Sequence, residues 1–343
     1  TYPARNTAAE VYAQIDSDLT KALERLPQSG NVIVSGADNA AWFKVRFNRW
    51  STLALKTRVA VYKEDWTTAV ATATEVINSG RYTLYPYASM VPDFRTPGNS
   101  EAMFEVVNNT NDNAGTDGLA YLCSQQGYGE VLATRQSMNR QTGATAATFK
   151  GLYEAYSGSD VRRQFIALGN RNSIGGETNV PLALKYVNIV NYQENLKILR
   201  FSEMYLSRAE ALGRLALQNS DAAALANSVA DLTLLRNRRD TATISRPLNV
   251  TLSGTPPSGS ITLPAYLDSV ILERRREFAL EGQRLFDLNR TKTNYVKIST
   301  AGSATSRLID YNAAPTSFYN RTILPIPNGE LAVNTKLIQN PGF

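Results

Sequence analysis

Histidine is absent from the 343 residues of this chain, and cysteine occurs once. Without imidazole, His-based triads, His metal sites and imidazole proton shuttles are excluded, and with them much hydrolytic and metal chemistry. The lone Cys123 excludes an intrachain disulfide and any multi-cysteine metal cluster. Set in Leu119-Ala120-Tyr121-Leu122-Cys123, it reads as a buried, inert thiol. No segment approaches the run of about 20 apolar residues that a membrane helix needs. The chain opens Thr1-Tyr2-Pro3-Ala4-Arg5-Asn6, without an initiator Met or the apolar stretch of a secretion signal. It is therefore expected to be a processed or trimmed product. A Walker-type phosphate loop and a Gly-x-Ser-x-Gly elbow are missing, and Gly127-Tyr128-Gly129-Glu130 does not continue as a dinucleotide fingerprint.

What remains is ordinary globular composition, 43% apolar and 19% charged, with a net charge of +6. The basic clusters Arg236-Asn237-Arg238-Arg239 and Arg274-Arg275-Arg276 lie in segments that also carry acids. A solvated or ion-paired helix face is expected there, not a nucleic-acid footprint. Glu273, Glu277 and Glu281 recur every fourth residue, which would put them on one face of a long helix running from Ala265 to about Asn289. Paired carboxylates serve glycoside hydrolysis, but Arg274, Arg276 and Arg284 beside them would keep them ionised, so ion pairing is the reading adopted.

The helical signals come in pairs. Thr7-Ala8-Ala9-Glu10 reads as a capping box opening a helix that Pro27 ends. Trp50, Leu53, Ala54, Thr57 and Val61 form one apolar stripe of the next helix, and Leu55, Val59 and Tyr62 a second, so that helix must be covered on two sides. Lys63-Glu64-Asp65 turns the chain, Asp65 caps the return helix carried by Ala69, Val70, Ala73, Val76 and Ile77, and Gly80 stops it. Ile198, Phe201, Tyr205, Ala209 and Leu212 repeat the plan, with a turn at Gln218-Asn219-Ser220-Asp221 and a partner through Leu225, Val229 and Leu232. Small residues along these helices suit the close packing of tetratricopeptide-like pairs.

Residues 81–195 read as irregular, with one short strand at Ala102–Val107 and an Asn-rich loop after it; 247–264 is a second loop. The loop fails the EF-hand pattern, since counting from Asn109 puts Ala114 at the sixth position and Ala120 at the twelfth. No metal site, cofactor or catalytic constellation is assigned. Seventeen Tyr accompany three Trp, and the middle region holds Tyr82, Tyr85, Tyr87, Tyr121, Tyr128, Tyr153, Tyr156, Tyr186 and Tyr192. A ring with a hydroxyl covers the apolar face of a sugar and bonds its rim, and it suits peptides equally; most such rings belong to the core. Tyr121 and Tyr128 are singled out as ligand-binding residues because Gln125, Gln126 and Asn113 nearby supply amides for hydroxyl recognition.

Four segments in order resemble the SusD/RagB family of outer-membrane nutrient-binding lipoproteins. They are Arg49–Val59 with its return helix ending Val76-Ile77-Asn78-Ser79-Gly80-Arg81-Tyr82, then Ile198–Ala211, Glu273–Leu288, and the closing Leu324-Pro325-Ile326-Pro327 with Gln339-Asn340-Pro341-Gly342-Phe343. The resemblance implies a mostly α fold: tetratricopeptide-like helix pairs (an α/α superhelix) near 7–80 and 198–239, an irregular ligand-binding portion at 81–195 with a few short strands, and a C-terminal helix and tail at 265–343, all in one body. It further implies non-catalytic binding of oligosaccharide or polysaccharide, or in some members of peptide, at the outer-membrane surface for delivery to a TonB-dependent transporter. A scaffold whose partner is only protein stands as the alternative from another class. Family members carry a lipidated cysteine and a substantial N-terminal portion ahead of the helix that begins here at Thr7. Neither lies in this sequence, and part of the ligand surface is expected with them.

Overall fold

The computed structural model describes residues 2–31, 33–34, 37–38, 43–134, 138–142, 145–149, 151–171, 178–189, 194–243, 248–297, 307–309 and 322–340. Tyr192 and the terminal Pro341-Gly342-Phe343 lie outside them. The α-helices are α1 (Ala8–Arg25), α2 (Arg49–Tyr62), α3 (Trp66–Asn78), α4 (Met90–Arg95), α5 (Leu119–Cys123), α6 (Leu152–Ala155), α7 (Phe201–Asn219), α8 (Ala222–Asn237), α9 (Leu263–Glu277), α10 (Arg284–Thr291) and α11 (Asn328–Val333). Among the described residues the strands are short and pair two by two. No described helix is long and apolar enough to cross a membrane. The chain forms two compact units, a larger one of Ala22–Met138 and Lys150–Glu281 and a smaller one of Thr1–Lys21, Asn139–Phe149 and Gly282–Phe343.

In the larger unit the expected helix pairs are present and their caps explain their bounds. Asn48 caps α2 by accepting from the amides of Trp50 and Ser51, with Ser51 Oγ returning the bond to Asn48 N. Asp65 Oδ1 accepts from Thr68 N and opens α3 after a turn in which Glu64 takes a positive φ of 58°. Asp221 caps α8 after Ser220 closes α7 in the left-handed region. α7 packs against α3, α8 and α9, and small residues permit this: Ala69, Ala73, Ala209 and Ala211 are fully buried. At Gly213 a Cβ would lie 2.8 Å from Leu267 Cδ2, so α7 meets α9 at glycine distance. The two stripes of α2 are both covered, by α3 on one side and by α7 and the strand Ala102–Val106 on others.

The three glutamates behave differently from the solvated face that their spacing allows. Glu277 is fully buried, and its carboxylate accepts from three guanidinium groups: Arg200 Nη1 at 2.9 Å, Arg239 Nε at 3.0 Å and Arg162 Nη1 at 3.0 Å. Arg200 also pairs with Glu101 and Glu281 at 2.9 Å each, and Arg239 Nη2 reaches Glu101 at 2.5 Å. Arg162 adds Asp160 at 2.7 Å and Glu273 at 2.6 Å; Lys185 Nζ meets Glu281 at 2.5 Å. Burial pushes the Glu277 carboxyl up, but Arg239, Arg200 and Arg162 outweigh it and hold it well below the usual carboxylate range. Glu281 and Glu273 are lowered in the same way, against burial, by Arg200 with Lys185 and by Arg162 with Arg276.

This network corrects one expectation. The helix from about Ala265 does not run to Asn289; it starts at Leu263 and ends at Glu277, and α10 begins anew at Arg284. Lys185 Nζ takes the carbonyls of Glu277 and Ala279, Arg200 Nη2 also takes that of Glu277, and Leu280 and Gly282 sit at φ 64° and 77°. The last carbonyls are spent on buried cations, so the helix stops where the charges need them. The start is two residues earlier than expected because Thr262 Oγ1 accepts from Ala265 N and Pro264 fits the first turn.

In the smaller unit Thr7 and Glu10 form the expected box, Thr7 N donating to Glu10 Oε2 at 2.8 Å and Glu10 N to Thr7 Oγ1 at 3.2 Å. The closing segment is held to the opening one: Arg5 donates to Asn340 Oδ1 at 2.7 Å and Asn334 Nδ2 to the Pro3 carbonyl at 3.0 Å. The Gln339 amide brackets Ile326, accepting from its N at 2.8 Å and donating to its carbonyl at 3.0 Å.

Removing one member of the buried network leaves like charges facing one another. Glu277→Gln is expected to destabilise the fold by about 3–5 kcal/mol in urea titration. The three carboxyls titrate below their unfolded value of about 4.3, so the stability they contribute is complete above that pH and is lost as pH falls through their depressed values. Acid titration of wild type should therefore show a steeper loss below about pH 4 than the Glu277→Gln variant does.

Candidate functional site

The strand Ala102–Val106 pairs antiparallel with Leu196–Arg200, Ala102 opposite Arg200 and Val106 opposite Leu196. One end of this ladder, Glu101 and Arg200, is fixed in the ion network. The other end leads to Asn108 and to Glu194, where a cavity of about 220 Å³ opens. Its walls are Asn108, the turn through Ala114, Asp117 and Gly118, the α5 residues Leu119 to Leu122, and Glu194 with Leu196.

Local chemistry makes each wall. Asn109 Oδ1 accepts from the amides of Asn111 and Asp112 at 2.9 Å, a side-chain-closed turn that suits Asn. Asn113 Nδ2 donates to the Asn109 carbonyl at 2.7 Å while its Oδ1 accepts from Gly115 N at 2.9 Å. In α5, Ala120 and Cys123 face inward. Burial pushes the Cys123 thiol up to about 11, and the nearby Glu194 charge adds to the shift. Opposite the turn, Asn108 Nδ2 donates to the Glu194 carbonyl at 2.7 Å and Asn108 N to Asn195 Oδ1 at 3.1 Å.

After α5 the chain doubles back on itself. Gly127 N donates to Ser124 O, Tyr128 N to Tyr121 O at 3.0 Å and Val131 N to Leu122 O at 3.1 Å. This return sets the Tyr121 and Tyr128 rings edge to face, centroids 4.8 Å apart at 84°. It requires glycine at Gly127, where a Cβ would stand 2.3 Å from the Tyr121 carbonyl oxygen. Gly129 has φ +58°, and a Cβ there would stand 2.7 Å from Gln125 Nε2.

Of the five residues singled out in the sequence, Tyr121, Tyr128 and Gln125 come together here. Tyr121 lines the cavity, and Tyr128 is 44% exposed beside it. Gln125 lies beneath Gly129, and Gln126 is exposed on the turn. Asn113 sits in the adjoining turn with its amide committed to closing it. Tyr82, Tyr85, Tyr156 and Tyr186 are core residues.

Glu194 and Asp117 were not anticipated. Glu194 is 6% exposed; its Oε2 accepts from the amides of Val187 and Asn188 at 2.8 Å, while Oε1 has no hydrogen-bond partner among the described residues. Burial raises its carboxyl pKa, and those amides, Lys197 and Arg95 offset the rise only in part. In sequence it stands between Gln193 and Asn195, polar neighbours that give no periodic signal.

A family model described as the SusD family matches residues 68–343. No curated protein matches the chain. Among solved structures, a SusD superfamily protein from Bacteroides vulgatus is 24% identical with a TM-score of 0.73, covering 99% of this chain and 67% of its own. One from Bacteroides thetaiotaomicron is 23% identical with a TM-score of 0.69, covering 99% and 68%. A protein described as a laminarin-binding SusD-like protein is 24% identical with a TM-score of 0.60, covering 98% and 69%. The chain thus spans about two thirds of each of these and shares their fold.

Gly127→Ala is expected to destabilise the protein by about 1–3 kcal/mol, since the added methyl meets backbone. Gly158→Ala, where the nearest atom is the end of the Arg163 side chain at 3.9 Å, should change thermal stability little by comparison. Cys123 should resist a disulfide-exchange reagent at neutral pH until the protein is unfolded by denaturant, because a buried thiol with a raised pKa presents almost no thiolate.

Proposed function

The chain belongs to the SusD family, and from that premise we propose that it is a non-catalytic carbohydrate-binding protein of the outer-membrane surface, passing oligosaccharide to a TonB-dependent transporter. The observation that carries the ligand part is the aromatic pair Tyr121 and Tyr128, held edge to face at the mouth of a cavity by a backbone return that needs Gly127. Two rings at a large angle, one half-exposed, offer a flat apolar face to a sugar and a hydroxyl to its rim. The laminarin binding of one structural neighbour supports the same reading. The transporter, the surface location and the lipid anchor rest on the family alone.

Glycan recognition of this kind asks for no proton transfer. The sequence without histidine and the glutamates Glu273, Glu277 and Glu281, buried against arginines and held ionised, agree with a binder. Those three glutamates are the opposite of a general acid, which needs a carboxyl kept protonated near neutral pH.

A combined glycan and peptide array on the protein tests the reading. Binding of oligosaccharides is expected, with Tyr128→Ala losing about tenfold in affinity, the scale of one ring contact. Peptides binding in their place would favour peptide capture, unchanged glycan binding by Tyr128→Ala would reject this site, and release of shortened product would make the protein an enzyme.

A further inference from the structure

Among the described residues, the walls of the cavity beside Tyr121 carry acid and no base. Asp117 is exposed and Glu194 is buried, while every other described lining residue is uncharged. Lys197 and Arg95 lie near enough to offset part of the burial shift on Glu194, but the hydrogen bonds and ion pairs of the nearby cations are made to other groups. Arg95 donates to the Leu184 carbonyl at 2.5 Å, Lys197 pairs with Glu105 at 3.5 Å, and Arg171 donates to the Gly129 carbonyl at 3.2 Å. None of the three lines the cavity. We propose that this cavity is a specificity subsite for one neutral or amino-sugar unit, with Glu194 Oε1 accepting from a ligand hydroxyl or ammonium and the two carboxylates excluding uronates and sulfated sugars.

Three observations converge on it. Glu194 Oε2 is saturated by two backbone amides, so the carboxylate is already fixed in place, while its buried Oε1 lacks a donor. A buried acceptor left unpaired is costly, and a ligand donor relieves that cost. The volume is below the range of about 300–1,000 Å³ usual for sites that enclose drug-sized ligands, which suits a single ring rather than a length of chain. An anionic sugar would lose its hydration beside two carboxylates, and no cation among the described lining residues would meet it, the unfavourable case for a desolvated charge. A divalent cation is the poorer fit. Such an ion takes six to eight oxygens; the cavity offers two carboxylates, and the described residues contain no cluster of three acidic, His or Cys ligands.

This inference rests on the carbohydrate-binding reading above and deepens it. The test is an array of laminari-, malto- and xylo-oligosaccharides, chitosan oligosaccharides, oligogalacturonides and sulfated oligosaccharides, read with wild type and variants in the presence and absence of EDTA. Binding is expected to be confined to neutral and amino sugars and indifferent to EDTA. Glu194→Gln should weaken the strongest hit about tenfold, since a charge-assisted bond becomes a neutral one, with the melting temperature nearly unchanged. Ala114→Phe, which narrows the cavity from its exposed turn, should weaken the same hit at least as much; this variant carries the test if Glu194→Gln fails to fold. The double variant Asp117→Asn with Glu194→Gln should gain measurable binding to oligogalacturonides. Wild type binding acidic glycans as tightly as neutral ones overturns the proposal, as does a neutral hit untouched by either cavity variant or abolished by EDTA. In those cases the protein remains a glycan binder. No binding to any glycan removes the carbohydrate reading itself, and this one with it.

Discussion

Glu277 is the point on which the larger unit turns. Three arginines from three separate stretches of chain converge on one carboxylate inside the protein, and each arginine then reaches a further acid. Taking these ions out of water is expensive, so the cluster is poor ground for claiming extra stability over an apolar core of the same volume. What it provides is register. Arg200 can satisfy Glu101, Glu277 and Glu281 together only when the strand ending at Arg200, the segment at Glu101 and the end of α9 stand in one arrangement. A slip of one residue would bury an unpaired charge. Apolar packing between helices tolerates shifts of that kind far better than buried charges do.

The cavity inherits that precision through the ladder. Glu101 and Arg200 begin a two-stranded pairing whose far end delivers Asn108, Glu194 and Leu196 to the cavity wall. The helix pairs supply the mass against which the network is buried. The network fixes one end of the ladder, and the ladder carries the fixed position outward to a region built mostly from turns. A site placed on turns alone would wander, whereas one hung from a short, anchored ladder keeps its geometry.

The frame was largely readable in the sequence, since its determinants are local. Thr7 and Asp65 announce helix starts within three residues, and alanines at helical spacing announce close packing. The four-residue recurrence of Glu273, Glu277 and Glu281 was rightly taken as ion pairing, yet two features of it lay beyond any local pattern. The partners Arg162, Arg200 and Arg239 come from far along the chain, and Arg200 and Lys185 take the carbonyls at the end of α9. At the site, Tyr121, Tyr128 and Gln125 were legible as neighbours in sequence. Asn113 spends its amide on closing its own turn, as an Asn in a tight turn does. Glu194 was invisible, being brought to the cavity by strand pairing with residues some ninety positions earlier and carrying no periodicity of its own.

Preorganisation is what links this architecture to binding. Saccharides are flexible and well hydrated, so a protein that also had to order its own loops would lose much of the interaction free energy to entropy. Here the ordering is done on folding. Asn109 and Asn113 close one wall, the Gly127 return locks the two tyrosines edge to face, and the Val187 and Asn188 amides hold Glu194 by a single oxygen. The groups left over, a half-exposed ring and one buried carboxylate oxygen without a donor, are the ones that the proposed sugar ligand would use. Stability arguments do not account for that oxygen, since a buried acceptor without a donor weakens a fold. Its presence in an otherwise well-satisfied wall makes sense if its partner arrives with the ligand.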